Sequence, residues 1–135
     1  MRGMHTSMSL TTAALAGLAL ALPVEALEIE QVLGRWSDPD LDECVYADDS
    51  EGAPLKIRRE GDEIYVGNYG WLCSVAVAEW KKDGAFLVGE AKACGMEGGD
   101  DTFDQVLVLG LNDKDQLLLT KDPTAAALRR CPAAP

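Results

Sequence analysis

Four cysteines carry the most specific chemistry in this 135-residue chain: Cys44, Cys73, Cys94 and Cys131. Structural zinc sites use close pairs such as C-x-x-C, and the nearest pair here, Cys73 and Cys94, lies far outside that spacing. An even number of cysteines in an oxidising space reads as two disulfides. Four cysteines allow three connectivities, and spacing alone does not choose among them.

The single histidine, His5, lies close to the N-terminus. If that end is removed, the usual general base goes with it, and so do the Ser-His and Cys-His arrangements and the commonest zinc ligand. Glu79, Glu90 and Glu97 remain, but their spacing marks no catalytic pair. The expectation is a protein that is not an enzyme, with no cofactor and no metal. Asp38, Asp40 and Asp42 alternate as in the first half of a calcium-binding loop of the EF-hand type. Pro39 stiffens the run, Glu43 stands where the sharp-turn glycine belongs, and Asp49 stands where a bidentate glutamate is needed. The stretch from Asp38 to Glu51 therefore reads as an acidic surface loop.

The N-terminal end supplies the compartment. Arg2 is the one formally charged residue among the first nine, and Leu10 to Val24 contains none. Val24-Glu25-Ala26 then offers the small or slim residues that signal peptidase accepts, so residues 1–26 are expected to be a secretory signal peptide and Leu27 the mature N-terminus. The apolar run is too short for a spanning helix, which needs roughly 20 such residues, and Pro23 interrupts it. Cleavage leaves about 109 residues, enough for one domain, 27–135, with a modest core. Arg2 and Glu25 cancel, so the formal charge of −11 is unchanged by cleavage. That charge repels nucleic acid and anionic lipid surfaces and favours a basic protein partner. The product is expected in the periplasm or secreted, free of the membrane and monomeric.

The elements that must position the cysteines read as β throughout. Leu55-Lys56-Ile57-Arg58 alternates apolar and charged. Ile64 to Val66 follows a Gly61 turn, and Trp71 to Trp80 reads as a longer strand with Cys73, Val75 and Val77 on one face. Asp83-Gly84 is a hairpin turn signal, with Ala85 to Cys94 returning. Phe103 to Leu111 places Leu107, Leu109 and Leu111 at period two, Gln116 to Thr120 returns, and Lys121 to Ala125 reads as a loop. Ala126 to Cys131 is a last strand or a helical turn. Six to eight short strands at this spacing predict an all-β fold, a small antiparallel barrel or sandwich stapled by two disulfides. Folding about Asp83-Gly84 sets Cys73 opposite Cys94 or close to it, which leaves Cys44 to bond Cys131.

Gly34-Arg35-Trp36, ahead of the first strand, resembles the Gly-x-Trp at the start of the lipocalin barrel. That resemblance implies a tryptophan closing one end of the barrel beneath an arginine from near the C-terminus, here Arg129 or Arg130. The arrangement is also similar to small secreted bacterial inhibitors of proteases and lysozyme. Taken along the mature chain, Gly34, Trp36, Cys44, Pro54-Leu55, Cys73, Cys94 and Arg130-Cys131 resemble small exported bacterial four-cysteine β proteins of unknown function. That likeness implies the same 44–131 and 73–94 pairing and carries no activity with it. The expected role is an exported binding module, most concretely an inhibitor of a protease or lysozyme. The alternatives are a small-ligand carrier using the barrel interior and an envelope protein of structural role.

Overall fold

The computed structural model describes residues 26–133. The expected signal peptide falls almost wholly outside the described residues. Nine strands follow in order: β1 Gly34–Ser37, β2 Leu55–Glu60, β3 Glu63–Asn68, β4 Trp71–Ala76, β5 Lys81–Asp83, β6 Phe86–Met96, β7 Thr102–Leu111, β8 Gln116–Lys121 and β9 Thr124–Arg130. Each pairs antiparallel with its neighbour, β1 pairs with β9, and β4 pairs with β6, which closes an eight-strand ring. β5 continues along the edge of β6 that β4 has left.

Alternation drives the closure. Ile57, Ile64, Val66, Leu107, Leu109 and Leu117 recur at period two along their strands, point inward and are fully buried. Each such burial is worth about 1.5–3 kcal/mol before conformational entropy is set against it. An eight-strand ring has an interior just wide enough for side chains to fill, and these residues with Trp36 fill it. A 3-10 turn at Ile29–Val32 covers the end of the barrel where β1 begins, burying Ile29 and Val32. Trp36 Nε1 donates to the Val32 carbonyl at 2.9 Å. Glu30 pairs with Arg59 of β2 at 3.1 Å, and Glu28 pairs with Lys82 of β5.

Both expected disulfides are present, Cys44–Cys131 and Cys73–Cys94, with Cα separations of 5.5 and 4.3 Å. Beside Cys73 the ladder sets Leu72 against Gly95, so the hairpin register read from the Asp83-Gly84 turn holds at the cysteines. A bulge between Ala91 and Cys94, with Ala93 at φ 59°, lets both residues face the core although they are an odd number of positions apart.

Two local expectations are corrected and one open choice is resolved. Trp71 to Trp80 is not one strand: β4 stops at Ala76 and a 3-10 turn spans Val77–Glu79. The Val77 amide still donates to the carbonyl of Asp62, its partner in the β3–β4 register, at 2.7 Å; the Trp80 amide then turns back to the Val77 carbonyl at 3.4 Å, and the Trp80 ring lies over Gly89. Lys121 to Ala125 is not a loop, because β8 runs to Lys121 and β9 starts at Thr124. The open choice at Ala126 to Cys131 resolves to strand, running to Arg130.

Candidate functional site

The connection between β1 and β2, residues 38–54, carries seven carboxylates and no lysine or arginine. A free loop of that charge would extend by self-repulsion. Here it is folded against the outer wall of the barrel by cations that strand alternation points outward. Arg35 stands between Gly34 and Trp36, and Trp36 faces in. The Arg35 guanidinium bonds the Asp48 carboxylate at 2.9 Å and the Cys44 carbonyl at 3.2 Å, and it also reaches the Tyr46 carbonyl. Lys56 of β2 takes the other Asp48 oxygen at 2.6 Å. Arg129 of β9 donates to the Leu41 carbonyl at 3.1 Å, touches the Cys44 sulfur at 3.4 Å and lies 3.8 Å from Asp42.

The chain also ties itself. Asp38 N donates to Glu43 Oε1 at 2.7 Å and Asp40 N to Asp38 Oδ1 at 2.8 Å. Successive turns bring Leu41 N to the Asp38 carbonyl, Tyr46 N to that of Glu43, Ser50 N to that of Ala47 and Ala53 N to that of Ser50. Cys44 is bonded to Cys131, whose amide donates to the Arg35 carbonyl at 2.8 Å. Lys56 beside Asp48, helped by Arg35 and opposed by partial burial, holds that carboxyl below its ordinary range.

Four of the loop's seven carboxylates, those of Asp38, Asp42, Glu43 and Asp48, thus accept from loop amides or pair with cations. Among the described residues no three carboxylate, thiol or imidazole groups converge as a metal site would require. Among the exposed carboxylates of Asp40, Asp42, Asp49 and Glu51, the clamped backbone also presents three large apolar side chains: Leu41, Val45 and Tyr46 are 55%, 70% and 50% exposed. Leu41, Asp42, Tyr46 and Glu51 line a depression of about 330 Å3. Large apolar side chains held out by a rigid backbone are the usual make-up of a protein-binding loop.

Gly34, Trp36 and Arg130 are brought together at the end of the barrel, with Trp36 buried and Arg130 exposed above it. The Arg130 guanidinium carbon lies 4.2 Å from the Trp36 ring centroid. Gly34 adopts φ +135°, and a Cβ there would lie 3.6 Å from Arg130 Nη1. Of the two candidate arginines, Arg130 stacks and Arg129 clamps the loop. The clamping roles of Arg35 and Arg129 and the exposed trio were not assigned from sequence. The available signal was Val45-Tyr46 standing between two carboxylate runs. Interior positions hold packed side chains, and the Lys121 ammonium, half-buried and pushed below its ordinary pKa by desolvation, lies 4.1 Å over the Trp71 ring.

The chain matches no protein family, no curated protein and no solved structure.

Proposed function

We propose that this protein is an exported binding module of the periplasm or extracellular space, acting as an inhibitor of a basic hydrolase such as a protease or lysozyme. One observation carries the reading: an acidic loop whose exposed Leu41, Val45 and Tyr46 sit on a backbone fixed by a disulfide, two arginines and a lysine. Rigidity supports affinity by lowering the ordering cost. Surrounding negative charge supports selection of a basic partner and a fast encounter. The packed interior weighs against the small-ligand carrier, which needs an open cavity. Surface plasmon resonance on immobilised lysozyme and cationic serine proteases tests the reading. Binding to at least one, weakening as salt rises from 50 to about 500 mM, is the expected result. No binding at low salt would count against it.

A further inference from the structure

A shallow groove of about 530 Å3 runs along β3, β4 and the end of β6, where Tyr69, Leu72 and Met96 are exposed beside Tyr65 and Trp71. The ring closes at this point: Trp71 pairs with Met96 and Leu72 with Gly95. The Glu97 amide donates to the Gly70 carbonyl at 3.1 Å, fastening the β6–β7 connection to the β3–β4 turn. Glu97 is the one charged residue in the groove lining. Tyr69 joins the groove to the acidic loop: the β2–β3 register, with Lys56 opposite Gly67, carries on to set Pro54 at the end of the loop against Tyr69. The Tyr69 hydroxyl is raised above its ordinary pKa first by Glu97 and in smaller part by the charge of Glu51, which also rims the loop depression.

Size makes the connection matter. A stable interface takes roughly 20–30 residues and about 800 Å² from each partner. Residues 38–54 are fewer than that, and part of the connection faces the barrel wall. A partner engaged by the loop must therefore rest on neighbouring surface, and the groove is adjacent, exposes the large apolar side chains of Tyr69, Leu72 and Met96, and is edged by the same sign of charge.

We propose that the groove is the second half of the docking surface, receiving an apolar side chain from a partner segment whose flanking lysine or arginine pairs with Glu97 and Glu51. The proposal rests on the binding-module reading. It commits to a cationic-apolar segment of the partner rather than a second copy of this chain.

The test is an amide-resolved NMR titration of the protein with two probes, acetyl-Lys-Trp-Lys-amide and acetyl-Glu-Trp-Glu-amide. The cationic peptide is expected to shift the amides of Tyr69, Leu72, Gly95 and Glu97, and the acidic peptide to leave them in place. Met96→Asp should weaken the cationic response at least about tenfold, and Met96→Leu should keep it. Silent groove amides, or equal shifts from both peptides, would overturn the proposal. So would groove shifts that grow with protein concentration alone, which would place a second copy there. Failure of the groove while lysozyme or protease binding through the loop persists would leave the binding-module reading standing. Failure of that binding while the groove amides respond to the cationic peptide would remove the reading and, with it, the groove's place in the docking surface.

Discussion

Arg130 of β9 and Trp36 of β1 are register partners across the strand pair that joins the two ends of the domain, and the guanidinium lies 4.2 Å over the indole. Arg130 also donates to the Gln31 carbonyl at 2.9 Å and pairs with Asp115 at 3.0 Å, so one side chain ties β1, the N-terminal 3-10 turn and the β7–β8 turn together. Arg130→Ala is expected to lower unfolding free energy by about 1–2 kcal/mol, the range for a partly desolvated cation–π contact with its hydrogen bonds. Arg130→Lys should recover only part, because an ammonium cannot stack and fork at once. Urea unfolding followed by tryptophan fluorescence measures both. An unchanged midpoint for the alanine variant would remove this closure from the account.

The two disulfides should separate in their effects. Cys73–Cys94 spans 21 positions and Cys44–Cys131 spans 87, giving about 3 and about 4.5 kcal/mol in the loop-entropy treatment. The longer one also fixes the candidate loop. The Cys44→Ser/Cys131→Ser pair should therefore lose partner binding and stability together, whereas Cys73→Ser/Cys94→Ser should lose stability with binding retained while folded. Calorimetry and surface plasmon resonance on the two variants check this, and equal binding loss in both would contradict it.

Acidification should release the loop late. Asp48 is held below its ordinary pKa by Lys56 first and Arg35 next. A carboxylate whose folded pKa is depressed contributes stability that is fully present above its unfolded value, about 3.9, and is lost as pH falls through the folded value. The Tyr46 and Ser50 amides, which donate within the loop on either side of Asp48, should keep their hydrogen-exchange protection from neutral pH down to about 4 and lose it below. Asp48→Asn should abolish that step and loosen the loop at every pH. Loss of protection near pH 6 would point to another group.

Trp80 rests on Gly89 so closely that a Cβ there would come within 2.7 Å of the ring. Gly89→Ala should force the indole out and cost about 1–3 kcal/mol, with a red shift of tryptophan emission. Unchanged stability and emission would mean that Trp80 does not hold the break between β4 and β5.

Much of the barrel was legible because period-two alternation at Leu107, Leu109 and Cys73, Val75 reports burial directly. The hairpin was legible from Asp83-Gly84, and the register expected from it is found at the cysteines, although the β5–β6 pairs beside the turn are offset from it by two positions across the break after Ala76. β9 was harder to bound: Thr124 to Ala127 are all exposed, so no alternation marks the strand's start. The break after Ala76 was hidden because apolar alternation continues through Val77, while the turn that follows seats Trp80 on Gly89, a contact with a distant strand that no local pattern encodes. The acidic loop was legible as surface, but not its clamp. Arg129 meets Leu41 and Cys44 across 88 and 85 positions, and no local pattern encodes contacts of that separation.

The central claim is that the clamped loop is the binding element. Its most direct test is inhibition of lysozyme and cationic serine proteases by the protein and by Val45→Asp, a substitution at the most exposed of the loop's apolar side chains. Dose-dependent inhibition of at least one enzyme, weakened by salt and reduced at least about tenfold by Val45→Asp, with the urea midpoint of the variant unchanged, is the expected result. Absence of inhibition across these enzymes, or equal potency of Val45→Asp, would contradict it.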